Sequence, residues 1–386
     1  MNGPSGLKTL IASCELGTAA APNFYVARKP SVSSQFESAL LSPRVLLMGQ
    51  NGVGKSTELQ QLALQMISSG AYMVSAPTLD VGLDLRHFGW HELLLYSACF
   101  LMMQVHPSYQ PTEQFQQLLK IFQTPSFQHL LFKMQQEPAA VHARVTEARA
   151  MIWDHACGLI QWIKNYFQSR PVLLIWDGLE KLSRSETQKL FEEEGRYLEE
   201  LPCQAVITAP MRMSFERYFH EVADRFAGNI IRLRAMSRDQ LKELAIRRGL
   251  VMSNVEAIGT VAAVLTDRKP PNIYEALMNQ LLDASAGLPR QLLQLTAAAA
   301  RQALVLQSDT LLPEHVALAI RRAAERFRYQ LEPADLVELN KADSARNNDA
   351  RARLLDLLAL VENEEPEAHF RVDINPLLRE MLATGR

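Results

Sequence analysis

Arg44-Val-Leu-Leu-Met-Gly-Gln-Asn-Gly-Val-Gly-Lys-Ser-Thr57 decides how this chain is read. Val45 to Met48 is a short apolar run of the kind that forms a buried strand. Thr57 to Ser69 follows with Leu59, Leu62 and Met66 at helical spacing on one face. Between them, Gly49, Gly54, Lys55 and Ser56 fit the pattern G-x-x-x-x-G-K-[ST]. The spacing has a physical basis. Glycines let backbone N–H groups turn inward around a phosphate, and the following helix adds its positive N-terminal end. Lys55 is spaced to reach the β- and γ-phosphates, and Ser56 offers a hydroxyl to Mg²⁺. Gln50, Asn51, Gly52 and Val53 complete the loop and Thr57 lies in the first helical turn, so 49–57 is the expected binding segment for ATP with Mg²⁺.

Working outward, the chain of 386 residues is 48% hydrophobic, enough for a sizeable core divided among two or three domains. A formal net charge of −2 advertises no global polyanion partner, although a local basic face stays open. The four cysteines, Cys14, Cys99, Cys157 and Cys203, form no C-x-x-C pair, which suits buried thiols in a reducing compartment better than a disulfide frame or zinc site. The N-terminus lacks a convincing apolar signal core, because Cys14, Glu15 and Gly17 interrupt its small-residue stretch. The most apolar window, Leu93 to Val105, is too short to span a bilayer. The expectation is a cytoplasmic protein with no membrane partner.

Pro171-Val-Leu-Leu-Ile-Trp-Asp-Gly-Leu-Glu180 is the second informative stretch. Its apolar run predicts a buried parallel strand with Asp177 at the carboxyl end, where open α/β sheets place ligand groups. There an aspartate can hold Mg²⁺ through water, and Glu180 is spaced to polarise an attacking water; the alternative for Glu180 is a solvated helix-start glutamate. The long stretch from Lys55 to Asp177 predicts a helical insertion at about 82–170, with helices over Gly89–Gln104 and Pro111–Gln168 after a strand over Ala71–Ala76. Cys203 to Pro210 reads as another core strand bearing Thr208, which either touches the γ-phosphate or orients water, or caps a turn. Ser183–Leu201 and Phe215–Phe226 are expected helices, and Asn229–Leu233 a final strand.

Ahead of the first strand, Ser33–Leu41 predicts a short helix and Phe24–Arg28 a strand or clip. Phe24, Tyr25 and Val26 either pack on an adenine ring or serve ordinary packing. From Ser237, which with Gln240 forms a capping-box start, only helices are expected: Arg238–Arg248, Val255–Thr266, Ile273–Ala284, Arg290–Val305 and Glu314–Tyr329. Gly287-Leu-Pro-Arg290 opens one of them with a positive side chain. The tail predicts an acidic turn (Glu362–Glu367), a short strand (Phe370–Val372) and a helix (Asn375–Leu382), in the order of a small winged-helix-like domain. The expected fold class is α/β: a P-loop NTPase parallel sheet with a helical insertion, then an all-α lid and that small domain. The boundaries fall at 1–43 (lead-in), 44–235, 236–330 and 331–386.

This order of motifs resembles the AAA+ and STAND group of P-loop ATPases, most closely its bacterial STAND-type and replication-initiator-type members, over roughly residues 24–310. The resemblance implies that Gly49–Ser56 is Walker A and that Asp177 with Glu180 is a Walker B of the STAND kind. It implies that Thr208 is sensor 1 and Arg290 is sensor 2. Most AAA+ enzymes place the glutamate directly after the aspartate, whereas Gly178 stands there; the later acid is associated with slow, switch-like hydrolysis. By the same resemblance Arg225, or else Arg217, supplies an arginine finger to a neighbouring subunit. A homo-oligomer is thereby implied.

The chain shows no second enzymatic motif: no H-E-x-x-H, no Cys/His nucleophile pair, and histidines (His91, His106, His129, His142, His155, His220) that are scattered. The expected function is therefore an ATP-dependent switch acting through a separate effector protein, as in bacterial defence or stress systems. A second reading is an initiator- or loader-like ATPase that binds nucleic acid through the tail and Arg321, Arg322, Arg326 and Arg328. These arginines are interleaved with Glu325, which also suits a solvated helix face. A third is a scaffold that binds ATP without turnover.

Overall fold

The computed structural model describes residues 4–14, 24–28, 31–77, 79, 88–105, 113–250, 271–308, 310–341, 347–364 and 370–384. The chain forms two compact units. One comprises Ser33–Met48 and Glu58–Arg232; the other comprises Met1–Val32, Gly49–Thr57 and Leu233–Arg386.

The first unit is built on a five-stranded sheet. Its strands are β1 (Arg44–Gly49), β2 (Met73–Ser75), β3 (Val172–Trp176), β4 (Gln204–Ala209) and β5 (Ile230–Leu233), in the order β2-β3-β4-β1-β5. β1 pairs with β4, β4 with β3 and β3 with β2, all parallel. Every residue of β3 is buried, as are Val45–Met48 and Ala205–Ala209, so these apolar runs are strands covered on both faces. β4 lies between β1 and β3, and Thr208 pairs with Leu47 while Ile207 pairs with Trp176. The carboxyl ends of all three strands therefore share one edge of the sheet.

Helix α2 (Val32–Ala39) precedes β1 and α3 (Lys55–Ser68) follows the glycine loop. The insertion supplies α4 (Trp90–Met102), α5 (Glu113–Ile121), α6 (Phe127–Gln136), α7 (Pro138–Glu147) and α8 (Arg149–Tyr166). The stretch expected as helical from 111 to 168 is thus four helices. Ser126 caps α6 through the His129 N–H, and Pro138 occupies the first turn of α7, where its missing donor costs nothing. α4 is apolar nearly all round and buried on nearly every face. The Trp90 ring lies 5.5 Å from Trp176, at the end of β3, and 5.5 Å from Phe191. Trp90 Nε1 donates to the Leu190 carbonyl at 2.7 Å, and Trp176 Nε1 to Ser97 Oγ at 2.7 Å, so both indoles are buried with their donors satisfied.

The expected helix over Ser183–Leu201 is broken. It is divided into α9 (Arg184–Gln188), a π-helical turn (Lys189–Glu193) and α10 (Arg196–Glu199). The cause is a guanidinium. Arg225, at the end of α11 (Phe219–Arg225), donates to the Phe191 carbonyl at 2.6 Å. A Cβ at Gly195 would lie 2.4 Å from its Nη1, so glycine there leaves the room the arginine occupies. The helix expected from Phe215 likewise begins as a 3₁₀ turn (Met211–Phe215) before an extended Glu216.

The second unit packs α1 (Pro4–Ser13) with α12 (Arg238–Leu250), α13 (Pro271–Ala284), α14 (Pro289–Val305) and α15 (Pro313–Arg328). Its core includes Leu7, Leu10, Val26, Leu241, Leu281, Leu292 and Val316. The helix expected over Val255–Thr266 lies outside the described residues. The tail forms α16 (Pro333–Leu339), α17 (Asn348–Asp356), an antiparallel hairpin of β6 (Leu360–Glu364) and β7 (Phe370–Ile374), and α18 (Pro376–Thr384). Glu362 to Glu364, expected in a turn, are strand residues paired with Phe370 to Val372. Among the described residues no helix is long and apolar enough to cross a membrane.

Candidate functional site

The glycine loop belongs to the second unit together with the segments that hold it. Gly52 and Gly54 adopt φ of +81° and +109°, a region that other residues enter only with strain. A Cβ at Gly52 would lie 2.8 Å from the Arg290 Cβ, and one at Gly54 would lie 3.4 Å from Arg28 Nη2. The Arg290 N–H donates to the Gly52 carbonyl at 3.3 Å, which sets the start of α14 against the loop. Lys55 begins α3, is 5% exposed, and donates from Nζ to the carbonyls of Gly49 (2.7 Å) and Gln50 (3.2 Å). Asn51 is exposed, Val53 is buried, and Ser56 and Thr57 are half-buried in the first turn of α3.

Two side chains that motif reading did not predict as fasteners brace this loop. Buried Arg28 donates to the Val53 carbonyl and, at 2.7 Å, to the Arg234 carbonyl. Gln50, 5% exposed, donates from Nε2 to the carbonyls of Leu360 (2.7 Å) and Leu355 (3.3 Å). Its Oε1 accepts from the Glu362 N–H at 2.9 Å. The partners of Gln50 are 305 to 312 positions away, so no local sequence signal marks it.

The acid turn belongs to the first unit and is held by its own neighbours. Gly178 has φ +110°, then a 3₁₀ turn covers Leu179–Lys181. The buried Thr208 hydroxyl accepts from the N–H groups of Gly178 (3.1 Å) and Leu179 (3.1 Å) and donates to the Trp176 carbonyl at 3.2 Å. One proton and two lone pairs are all a hydroxyl has, so Thr208 caps the turn after the neighbouring strand. Direct contact with a phosphate or water would require that turn to open. Glu180 folds back, its Oε2 accepting from the Gly178 N–H at 3.2 Å. Asp177 is half-buried at the carboxyl end of β3. The departure at position 178 now has a cause, because a glutamate at φ +110° would be strained.

Arg225 is engaged inside its own chain, with the Phe191 and Glu192 carbonyls and with Glu199 at 3.6 Å. Arg217, the second finger candidate, is exposed. Of the residues proposed for adenine packing, Val26 is 2% exposed in the helical core. The Tyr25 carbonyl accepts from Arg247 Nη1 at 2.5 Å, and the Phe24 ring lies 4.2 Å under the Arg248 guanidinium carbon. Residues 25–28 form no strand. A cavity of about 960 Å³ in the second unit is lined by Asn51, by Arg290 and Arg301 of α14, and by Arg322, Glu325 and Arg326 of α15, among others.

The groups present suit a nucleoside triphosphate. The loop has positive-φ glycines at positions where a Cβ would crowd Arg290 or Arg28, and it carries an ammonium at the head of α3. The hydroxyl of Ser56 and the carboxylate of Asp177 are hard oxygen donors of the kind Mg²⁺ takes. No family model and no curated protein matches the chain. Solved structures with which it aligns include Cdc6p from Pyrobaculum aerophilum (11% identity, 96% of each chain, TM-score 0.47). Others are a Walker-type ATPase of Pyrococcus abyssi (13%, 94% and 99%, TM-score 0.48) and the RuvB Holliday junction branch migration motor of Thermotoga maritima (14%, 92% and 95%, TM-score 0.37). Similarity of this size assigns no role to any residue. On its own motifs and sheet, the chain has the parallel α/β fold of a P-loop NTPase, with a helical insertion and a helical second unit.

Proposed function

We propose that this chain is an ATP-binding molecular switch of the AAA+/STAND type that hydrolyses slowly and acts through a separate effector protein. The observation that carries the reading is the glycine loop itself: Gly52 and Gly54 in left-handed conformations, and Lys55 at the head of α3 with its ammonium drawn over the loop carbonyls. In this reading Lys55 and Arg290 hold the γ-phosphate, the loop N–H groups hold the β-phosphate, and Ser56 and Asp177 hold Mg²⁺. The metal, when bound, neutralises charge on the phosphate oxygens. Glu180 is the candidate base. One lone pair of its Oε2 is taken by the Gly178 N–H, and the base role falls to the remaining lone pairs of the carboxylate. Thr208 keeps the acid turn in shape, and Arg217, being exposed, is the better placed of the two arginines to reach a neighbouring copy. ATP and ADP differ in the γ-phosphate that Arg290 would feel, and that differential contact biases the helical lid and the oligomeric state. A role in bacterial defence or stress response suits a switch that works through such a partner.

The test is light-scattering chromatography of the chain with ADP, ATP and a non-hydrolysable ATP analogue, beside Lys55→Ala and Glu180→Gln. Assembly is expected with the analogue and with Glu180→Gln plus ATP, and is lost in Lys55→Ala. A single size in every nucleotide overturns the self-assembling switch, and absent nucleotide binding overturns the whole reading.

One observation favours a second reading, a nucleic-acid-binding ATPase. Arg301, Arg322 and Arg326 border one cavity with Arg290, against Glu325, which suits a phosphate backbone. Binding to duplex or single-stranded DNA should then weaken steeply with salt, and Arg322→Ala should reduce that slope by about one. No salt-dependent binding rejects it.

A further inference from the structure

We propose that the C-terminal hairpin is a latch fastened on the glycine loop through Gln50, so that loop occupancy releases the tail; this rests on the reading of the loop as a nucleotide site. The side-chain amide of Gln50 docks on the free edge of β6 as a peptide group of an added strand would. It takes the carbonyl of Leu360 and the N–H of Glu362, two residues apart on one edge. β7 covers the opposite edge. The amide is buried and both of its ends are paired, so it can leave only if the β6 groups find water or another partner.

A second amide fastens the same tail beside Arg290. Gln291 and Asn375 exchange hydrogen bonds, Nε2 to Oδ1 at 3.3 Å and Nδ2 to Oε1 at 3.2 Å, and both are buried. Asn375 also donates to the Leu358 carbonyl at 3.0 Å, and its N–H to the Ala359 carbonyl at 2.9 Å. The tail is therefore bound to the two elements that the proposed function makes responsive to phosphate: the loop at Gln50 and the head of α14 at Gln291. Lys55 links the loop's state to the latch, because its ammonium holds the carbonyl of Gln50 itself. A bound phosphate competes for that ammonium, and the backbone of Gln50 loses one of its restraints. Loop and latch then have two mutually exclusive arrangements, the condition for a population shift.

Amide hydrogen exchange on the full chain tests this. Gln50→Met keeps volume and removes the side-chain bonds of Gln50 to Leu355, Leu360 and Glu362, leaving the Gln291–Asn375 pair in place. Exchange at the Glu362 N–H should rise about tenfold while the other β6–β7 amides stay protected. A saturating non-hydrolysable ATP analogue should produce the same rise in the unaltered chain, and Lys55→Ala, which removes the same restraint, should show the rise without nucleotide and gain nothing further from the analogue. Glu362→Pro removes the single donor that faces Gln50 without touching the loop, at an edge position that tolerates proline. By linkage, a latch that keeps only the bonds from Gln50 Nε2 should tighten analogue binding by about two- to threefold in this variant. Unchanged exchange in Gln50→Met overturns the latch. Analogue binding that leaves Glu362 protected, or that Glu362→Pro leaves equal or weaker, overturns its coupling to the loop. If a fluorescent ATP analogue does not bind at all, the nucleotide reading and the coupling fail together, whereas the Gln50→Met result still judges the contact by itself.

Discussion

The glycine loop and the acid turn are the two chemical segments of this protein, and they are held in opposite ways. The acid turn is local: Thr208 from the adjacent strand and Glu180 from the turn itself satisfy its N–H groups. The loop is braced by Arg28, 25 positions before Val53, and is held from far along the chain by the edge of β6 at Gln50 and by the N-terminal end of α14. A segment held by its neighbours keeps one shape whatever happens elsewhere. A segment held by remote elements exchanges information with them, which is what a switch requires.

The comparison can be broken most forcefully at Lys55. Lys55→Ala should weaken ATP binding by at least about 100-fold, on the order of 3 kcal/mol, as read by titration with a fluorescent analogue. An affinity within a factor of three of the unaltered chain would remove the loop from the chemistry. Next comes Thr208→Val, which leaves the buried Leu179 N–H without its acceptor and the Gly178 N–H with Glu180 alone, and should destabilise the first unit by about 2 kcal/mol in denaturant unfolding. Thr208→Ser should restore most of that loss. Equal stability of the valine variant would show that the turn is not held as described.

Smaller again is Gly178→Glu, which places an acid directly after Asp177. At φ +110° the new side chain should cost about 1–2 kcal/mol, and phosphate release should fall rather than rise. A faster enzyme would mean that the turn rebuilds cheaply and that its present shape is not its constraint.

The smallest expected effect lies in the helical insertion, at His91 of α4. Buried His91 sits 5.3 Å from Trp153 and 4.4 Å from Tyr197, ring to ring, with Nε2 lacking a hydrogen-bond partner among the described residues. Burial, helped by Arg149 and Arg196, pushes its pKa down to about 4. Its ordinary value is about 6.5, so between pH 6.5 and 4 the unfolded chain binds the proton and the folded chain does not. Stability is thus present above pH 6.5 and lost as pH falls toward 4. His91→Phe should flatten that slope in unfolding curves at pH 7 and 5; an unchanged slope would assign the acid sensitivity to other groups.

The sheet was legible because its strands are apolar runs that close at informative residues, Gly49 after β1 and Asp177 after β3. Within the insertion, the stretch from 111 to 168 was legible as helix but not as the four helices its described residues form, since Pro138 marks a break and Gln123, with φ +50°, does not. The π-turn at Lys189–Glu193 was invisible, because Arg225, more than thirty positions on, causes it. Expectations about Thr208 and Phe24 named residues whose surroundings only folding reveals: a hydroxyl already saturated by a turn, and a ring already covered by Arg248.

By itself the sequence determined the glycine loop, the acid strand, the parallel sheet and the change to helices after Ser237. These follow from side-chain period and short-range spacing, which are properties of neighbours. Tertiary structure alone decided what grips the loop, which way Glu180 folds, and that the hairpin closes on Gln50. Those contacts join residues up to about 310 positions apart, and nothing in a local pattern says which distant carbonyl or N–H an amide will meet.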